Sequence, residues 1–275
     1  MMESQTGTED DNRLSPDKTK DVHSRRTLYL VRHGEAVHNV LEKRAQQEAK
    51  QEAEALNLSS EETHARMEEA RQAVLQDPSL RDAPLTDQGR QEARECGQRL
   101  QKLIDDEHIG HPPTEAMVSP LTRTLETCKI ILDTTSAFKT KPLKAQIREE
   151  IKERQTWYPP DTPHPHEQLF RYTQTNDRFV MDHIEKVSAQ DVRQEIMVRE
   201  SKEMLRERAS KLFDLLLKMN HRHILIVSHK GYLRELERGL LRMPNSPLFE
   251  NGEMRIYRVV FTRGERSLES IERLA

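Results

Sequence analysis

A short apolar run, Leu28–Val31, ends in the tripeptide Arg-His-Gly at 32–34. An apolar run of this length that stops at a turn residue is typical of a buried β-strand. Open α/β sheets bind ligands at the carboxyl ends of their strands, so this strand would bring a cation, an imidazole and a flexible turn to a binding site. A second apolar run, at 223–228, is followed directly by His229. Together these segments indicate a pocket with a histidine at its floor.

Strands and helices alternate along the chain, which favours a mostly parallel sheet. We expect strands at 27–32, 115–119, 142–151, 223–228 and 254–262, the last at the edge of the sheet. We expect the main helices at 85–106, 121–134, 201–220 and 231–242. The predicted fold class is α/β, a three-layer α/β/α sandwich with a mostly parallel central sheet.

Two insertions interrupt this alternation. Residues 41–76 are rich in charged residues and Ala, with capping-box spacing between Ser59 and Glu62, so we expect a charged helical hairpin on the surface. Residues 154–200 begin with several prolines and then become helical and charged, which indicates an inserted lid. The predicted division of the chain is a disordered N-terminal tail, a single catalytic domain and a C-terminal tail, at 1–26, 27–262 and 263–275.

Composition argues against several classes of partner. The net charge of −3, from 44 basic and 47 acidic residues, gives no general attraction for nucleic acid or a membrane surface. No run approaches the roughly 18 apolar residues of a membrane span, and residues 1–26 lack the apolar segment of a signal peptide. Cys96 and Cys128 have no partner at metal-ligand spacing and are predicted to be buried free thiols. We therefore expect a cytoplasmic protein, with the nucleus left open.

The residue types at the predicted pocket suit phosphoryl transfer, which needs a nucleophile, fixed positive charge and a proton donor. A neutral His33 has a ring nitrogen free to attack, provided that a nearby backbone carbonyl holds the other nitrogen. Arg32 can bind two phosphate oxygens, and Arg123 enters at a helix start that follows a strand. His229 and Asn39 offer further hydrogen bonds to phosphate.

The proton donor is chosen from a group of acids. A carboxyl group beside a phosphate is repelled by it, so its pKa rises and it holds a proton near neutral pH. Glu153 is the first choice, while spacing leaves Glu149 and Glu150 open. His164 and His166 have no carboxylate or thiol at metal-ligand spacing, so we expect no metal. We expect no cofactor either.

Taken in order, these segments resemble the histidine phosphatase superfamily, also called the phosphoglycerate mutase-like family. The resemblance covers about residues 27–262 and rests on Leu30–Glu35 with Asn39, Leu85–Gly89, Val118–Thr124, Glu153 and Val227–His229. It implies that His33 carries a phosphohistidine and that Glu153 donates the proton. The other pocket residues that it implies are Arg32, Arg123 and His229.

Within that superfamily the chain looks like branch 1, which contains phosphoglycerate mutases and fructose-2,6-bisphosphatases. Glu35 and Val37 stand where the acid phosphatase branch has an Arg and a Pro. The chain looks most like the phosphoglycerate mutase-like proteins of fungi, plants and algae, which have a Pro-Cys-Asp segment after the acid. This chain has Pro159–Asp161 there, without the cysteine, and its hairpin at 41–76 departs from the short family pattern.

The expected function is hydrolysis of a phosphomonoester, a small phosphorylated metabolite, through a phosphohistidine. The first alternative is a phosphoryl transferase of the cofactor-dependent phosphoglycerate mutase type, whose closed site would exclude water. The second alternative is a protein phosphatase or a non-catalytic binding scaffold. The hairpin at 41–76 is a candidate docking arm for a protein partner.

Overall fold

The structure, a computed structural model, describes residues 23–107, 109, 111–181, 199–262 and 267–275. The strands found there are β1 (His23–Arg32), β2 (Glu115–Val118), β3 (Ala145–Ile147), β4 (Phe179–Val180), β5 (His223–Ser228), β6 (Met254–Thr262) and β7 (Ser267–Arg273). They form one sheet in the order β4-β3-β2-β5-β1-β6-β7. Neighbouring strands from β4 to β1 are parallel, whereas β6 and β7 are antiparallel to their neighbours.

The helices in the described ranges are α1 (Val37–Ala55), α2 (Ser60–Leu75), α3 (Asp87–Asp105), α4 (Thr122–Thr134), α5 (Ala137–Thr140), α6 (His166–Thr175), α7 (Lys202–Ser210), α8 (Leu212–Lys218) and α9 (Lys230–Arg238). Short 3₁₀ turns occupy Pro78–Leu80, Glu149–Ile151 and Pro159–Asp161. None of these helices combines the length and apolarity that a bilayer span requires.

The sheet is covered on both faces, which explains why its central strands are almost continuously apolar. Leu28 and Leu30 of β1 pack into a core that also contains Leu212 of α8 and Leu233 of α9. The alternate β1 residues, Tyr29 and Val31, pack on the opposite face into a core with α3 and α4. The α/β fold with a mostly parallel sheet is therefore confirmed, and the free thiols of Cys96 and Cys128 are both buried as predicted.

Both ends of the predicted domain need correction. β1 begins at His23, not at residue 27, because residues 23–26 continue the pairing with β6 as far as Thr262. Residues 1–22 of the predicted tail lie outside the described residues. Residues 267–273 of the predicted C-terminal tail form β7, which pairs with β6, so β6 is not at the edge of the sheet.

The sequence of β7 conceals this strand. Its two large apolar residues, Leu268 and Ile271, are three positions apart, which does not match the two-residue period of a strand. The register shifts between Val260 and Phe261, and this bulge lets both side chains pack on the same core.

Three internal predictions also change. The helix expected at 201–220 is two helices, α7 and α8, that meet at Lys211. The third strand is shorter than 142–151 and is followed by a 3₁₀ turn. Within the predicted lid at 154–200, β4 extends the sheet beside β3, whereas residues 182–198 lie outside the described residues. The predicted helical hairpin is found as α1 and α2, with the capping box of Ser59 in place.

Candidate active site

His33 follows β1 directly and is 3% exposed. Its Nδ1 lies 2.7 Å from the Gly34 carbonyl oxygen, so Nδ1 carries the hydrogen and Nε2 keeps its lone pair. This matches the sequence expectation that a neighbouring carbonyl fixes the tautomer. Burial lowers the pKa of His33 well below its usual value, and the charges of Arg123 and Arg32 lower it further. The ring is therefore neutral at neutral pH.

The register of the sheet places the other strand ends beside His33. Arg32 pairs with Ser228, and the backbone nitrogen of His33 donates to the Ser228 carbonyl at 3.0 Å. Ser119 directly follows the neighbouring strand β2, and its backbone nitrogen donates to the Val227 carbonyl at 3.2 Å. Residues far apart in the sequence are thus adjacent at the carboxyl ends of β1, β5 and β2.

The turn after His33 requires a glycine because it packs directly on another one. A Cβ atom on Gly34 would overlap the backbone of Gly89, and a Cβ on Gly89 would overlap the backbone of Glu35. Gly89 lies in the first turn of α3, whose N-cap is Thr86. The Leu85–Gly89 motif therefore supports the turn that carries His33.

Arg32 is 6% exposed, and its Nη1 donates to the Phe249 carbonyl at 2.7 Å. The same loop holds His33, because the backbone nitrogen of Gly252 donates to the His33 carbonyl at 3.2 Å. The Nε atom of Arg32 is buried and has no hydrogen-bond partner among the described residues. Arg32 therefore keeps a buried donor beside His33.

Arg123, in the first turn of α4, is 1% exposed. Its Nε donates to His33 Nε2 at 3.3 Å, its Nη1 to the Pro160 carbonyl at 2.6 Å and its Nη2 to Asp161 Oδ1 at 3.0 Å. Thr156 in turn donates to Asp161 Oδ2 at 2.7 Å. The 3₁₀ turn that follows the predicted acid thus fixes the guanidinium against His33, a contact that the sequence did not indicate.

His229 follows β5 and is fully buried. Its Nε2 lies 2.7 Å from the Ser119 hydroxyl oxygen, and its ring centroid lies 5.1 Å from that of His33. Its Nδ1 is buried and has no hydrogen-bond partner in the described part of the chain. Burial, followed by the charge of Arg123, lowers the pKa of His229 well below its usual value. A neutral His229 with an unused nitrogen thus faces the same small region.

Glu153 accepts hydrogen bonds from the backbone nitrogens of Arg154 at 2.8 Å and Gly231 at 3.3 Å. Burial and the negative charge of Asp161 raise its pKa. Gly231 makes room for this carboxyl, because a Cβ atom there would overlap it. The arrangement gives a carboxyl group that holds a proton more readily than an exposed glutamate does.

The two alternative acids have a different environment. Glu149 pairs with Lys152 at 2.9 Å, and its side chain is 40% exposed. Glu150 is 46% exposed and lies 4.0 Å from Arg148. Both acids are thus partly exposed and lie beside a cation, so the geometry favours Glu153 as the proton donor.

Asn39 is used mainly by its own helix. Its Oδ1 accepts from the backbone nitrogen of Ala36 at 3.2 Å, and its Nδ2 donates to His38 Nε2 at 2.9 Å. No hydrogen bond joins Asn39 to the other site residues in the described ranges, so its phosphate contact stays a prediction. His38, which the sequence did not single out, is 5% exposed. Burial and the charges of Arg123 and Arg32 lower the pKa of His38 to about 2.

The structure therefore brings Arg32, His33, Arg123, His229 and Glu153 together around one point. The supporting residues that were missed are Ser119, Pro160, Asp161, Gly231 and His38. Ser119 stands inside the Val118–Thr124 motif, and Gly231 lies two residues after His229, so the positions of both were available from the sequence. Within the described residues, no group of three or more His, Cys, Asp or Glu side chains is arranged to hold a metal ion.

Comparison with known proteins shows the family of this chain. The family model described as histidine phosphatase superfamily (branch 1) matches residues 62–273, a range that includes Arg123, Glu153 and His229 and begins after Arg32 and His33. No curated protein matches the chain in sequence.

Solved structures that the chain matches include the following three. A mycobacterial hydrolase ("Mycobacterial hydrolase 2") is 16% identical, with a TM-score of 0.51 over 90% of this chain and 88% of that chain. A mycobacterial glucosyl-3-phosphoglycerate phosphatase is 15% identical, with a TM-score of 0.49 over 90% and 97%. A phosphoserine phosphatase from Entamoeba histolytica, solved with 3-phosphoglyceric acid, is 18% identical, with a TM-score of 0.45 over 90% and 96%.

Proposed function

Because the chain belongs to the histidine phosphatase superfamily (branch 1), we propose that it hydrolyses a phosphomonoester through a phosphohistidine on His33. The observation that carries the proposal is the state of this buried ring. Its Nδ1 is held by the Gly34 carbonyl and its Nε2 lies beside the Arg123 guanidinium. A neutral imidazole in that position is ready to attack phosphorus without prior deprotonation.

In the first step, Nε2 of His33 forms a bond to phosphorus while the bond from phosphorus to the ester oxygen breaks. Glu153 gives its proton to that oxygen, which leaves as an alcohol. The ring becomes cationic when it is phosphorylated, and the Gly34 carbonyl at 2.7 Å from Nδ1 stabilises that charge. The non-bridging oxygens bind to the cationic and N–H groups of Arg32, Arg123 and His229.

In the second step, water attacks phosphorus and the bond to Nε2 breaks, which returns His33 to its neutral form. The Glu153 carboxylate accepts a proton from the attacking water, so that it again carries a proton for the next cycle. Two buried nitrogens of the pocket, Arg32 Nε and His229 Nδ1, have no hydrogen-bond partner among the described residues, and they support this assignment because an anion in the pocket would satisfy both.

The substrate that we propose is a small phosphorylated molecule. His33, Arg123 and His229 are each no more than 3% exposed, so a phosphate must pass below the surface to reach them. The turn at Pro159–Asp161 contacts Arg123 and therefore covers one side of it. This depth favours a metabolite over a phosphoprotein.

A panel of phosphorylated metabolites, scored by released phosphate, tests the hydrolase proposal. We expect His33→Ala to abolish turnover and the phosphoenzyme trapped by alkaline denaturation, whereas His64→Ala, at an exposed position of α2, leaves both unchanged. Wild-type protein that releases no phosphate and traps no phosphohistidine would favour a binding scaffold instead. Activity retained by His33→Ala would contradict the assigned nucleophile.

The mutase alternative is separated by its product. The wild-type protein is incubated with 3-phosphoglycerate, with and without bisphosphoglycerate. Hydrolysis predicts free phosphate in excess of the isomerised acid under both conditions. Isomerised acid in excess of free phosphate, and dependent on bisphosphoglycerate, would assign phosphoryl transfer to the same site.

A further inference from the structure

One arginine outside the pocket uses all five of its N–H groups near the proposed proton donor. Arg208 of α7 donates through Nε and Nη2 to the two carboxylate oxygens of Glu200, both at 2.8 Å. Its Nη1 donates to the carbonyls of Glu150 and Lys152, each at 2.9 Å, and its Nη2 to the carbonyl of Glu153 at 3.1 Å. A guanidinium has five donors in a rigid plane, so this geometry leaves Arg208 no freedom.

Glu200 extends the contact to the other side of the acid. Its Oε2 accepts from the backbone nitrogen of Gln155 at 3.0 Å, and its own backbone nitrogen donates to the Gln155 carbonyl at 2.9 Å. The Glu200 side chain is only 7% exposed. The pair of Arg208 and Glu200 therefore holds the backbone on both sides of Glu153.

The segment around Glu153 has no strand to hold it. β3 ends at Ile147, and a single 3₁₀ turn follows at Glu149–Ile151. Without a ladder of strand hydrogen bonds, the carbonyls of this segment need other donors when they are buried. Arg208 supplies them at three positions, which replaces the ladder with one side chain.

Arg208 also lies near the second support of the acid. Its guanidinium carbon is 5.5 Å from the centre of the Tyr232 ring in α9. Gly231, the preceding residue, donates its backbone hydrogen to Glu153 Oε2. One guanidinium thus contacts the backbone of the acid and lies beside the residue that follows the donor to its carboxylate.

We propose that Arg208, through its ion pair with Glu200, is the positioning residue that sets Glu153 for proton transfer. This inference rests on the proposed function, in which Glu153 protonates the leaving oxygen. Arg208 contacts neither His33 nor Arg123. Its positive charge acts on His229, but Arg208→Lys keeps that charge, so the effect of this variant falls on proton donation and not on phosphate binding. The plane of the guanidinium is essential, because an ammonium group cannot reach the same five acceptors.

Dependence on the leaving group tests this role. An alkoxide needs a proton to leave, whereas 4-nitrophenolate leaves without one. We expect Arg208→Lys to lower kcat for 3-phosphoglycerate by about 30-fold to 100-fold, within the range of general acid catalysis, and kcat for 4-nitrophenyl phosphate by less than about threefold. KM should change little for either substrate. Arg206→Lys, the same substitution two residues earlier in α7, is the matched control and should leave both rates unchanged.

An equal loss on both substrates would assign Arg208 a merely structural role and overturn the inference. If Arg208→Lys does not fold, Glu200→Gln takes its place, since it keeps the shape of the side chain and removes the charge that holds the arginine. The same selective loss on 3-phosphoglycerate is expected, and equal rates for Glu200→Gln and wild type would overturn the inference.

Two reference variants separate this inference from the proposed function. His33→Ala must abolish turnover of both substrates, and Glu153→Gln must lose the alkyl substrate selectively. If both reference variants give these results but Arg208→Lys has the wild-type kcat for both substrates, the positioning role is wrong and the proposed function stands. If His33→Ala retains turnover, the proposed function itself fails.

Discussion

The carboxyl ends of the central strands and the hairpin of α1 and α2 use the same charged residue types in opposite ways. At the strand ends, Arg32, Arg123 and Arg255 are each no more than 6% exposed and donate to backbone carbonyls or buried carboxylates. In the hairpin, Arg44 pairs with Glu48 and Lys50 with Glu54 one turn away, with every side chain more than half exposed. One third of the chain is charged, but only the buried part of that charge fixes the architecture of the site.

This difference predicts which ion pairs lower the free energy of unfolding when one partner is removed. A buried ion has lost its water, so its partners must replace the hydration, whereas an exposed ion pair gains little over its hydrated groups. The hairpin accordingly buries little, with His38 and Ala53 buried in α1 and Leu75 in α2. Its two helices are joined across by Arg71 and Glu42 at 2.9 Å.

The largest effect is expected at Arg255, which lies under the loop that holds Arg32. Arg255 and Glu237 are each 1% exposed and pair at 3.0 Å, and Arg255 also donates to the carbonyls of Pro247 and Leu248. We expect Arg255→Ala to lower the free energy of unfolding by about 3–5 kcal/mol, since it leaves a buried carboxylate unpaired.

Urea unfolding measures this loss, and the same strand offers the control. Arg258 of β6 pairs with Glu272 at 2.6 Å, but the two side chains are 40% and 59% exposed. Arg258→Ala should cost at most about 1 kcal/mol. Similar losses for the two variants would break the distinction between buried and exposed charge.

The second effect concerns pH and the acid within the site. His33 stays neutral because its pKa is lowered, so it sets no acid limit to activity near neutral pH, whereas Glu153 must be protonated to act. Because the pKa of Glu153 is raised, its carboxyl group stays protonated to a higher pH than an ordinary glutamate does. The kcat for 3-phosphoglycerate should fall as the pH rises through that pKa.

Glu153→Gln checks the assignment of this alkaline fall. We expect the variant to lose about 100-fold in kcat for 3-phosphoglycerate and to lose the alkaline fall with it. Glu149→Gln, at the exposed neighbouring acid, should keep the wild-type profile. An unchanged alkaline fall in Glu153→Gln would place the titrating acid elsewhere.

A smaller effect is expected at Asp161, whose carboxylate lies 3.0 Å from Arg123 Nη2 and is 14% exposed. Asp161→Asn keeps an oxygen acceptor for the guanidinium and removes a negative charge that repels phosphate. We expect inorganic phosphate to inhibit the variant about tenfold more tightly, a modest effect for a charge this close to a binding site. Weaker inhibition would instead show that the carboxylate charge is needed to orient Arg123.

The smallest effect is expected in the hairpin. Lys50→Gln removes the pair with Glu54, whose atoms are 3.7 Å apart and whose side chains are both more than half exposed. Thermal unfolding should report a change of at most about 0.5 kcal/mol, and phosphatase activity should be unchanged. A larger loss of activity would connect the hairpin to the site and remove the contrast between the two regions.

The parts of the fold that were predictable are those whose burial follows a simple period. Leu28–Val31 and residues 223–228 predict β1 and β5, and the Thr86 N-cap predicts the start of α3, because each signal is local. β7 was missed because a bulge changes its period, and β4 was missed because two residues are too few to show one. The docking role of the hairpin stays a prediction.

At the site, the residues proposed to carry the chemistry were easier to predict than the contacts that hold them in place. His33 and the carbonyl that holds its Nδ1 follow from adjacent residues, so sequence alone suffices there. The contacts of Arg123 with Asp161 and of Arg208 with the Glu153 backbone join distant segments. Nothing in the spacing of these residues indicates which guanidinium meets which oxygen, because that depends on how the loops pack.

The position of β1 in the sheet also governs how this protein must be made. β1 pairs only with β5 and β6 among the described strands. The backbone of Thr27 therefore has no strand partner until His223 and Arg258 have been synthesised. During most of synthesis, the apolar segment that ends at His33 has no hydrogen-bonding neighbour and is open to chaperones or to aggregation. The strand that carries His33 therefore cannot take its place in the sheet until the last third of the chain has been synthesised.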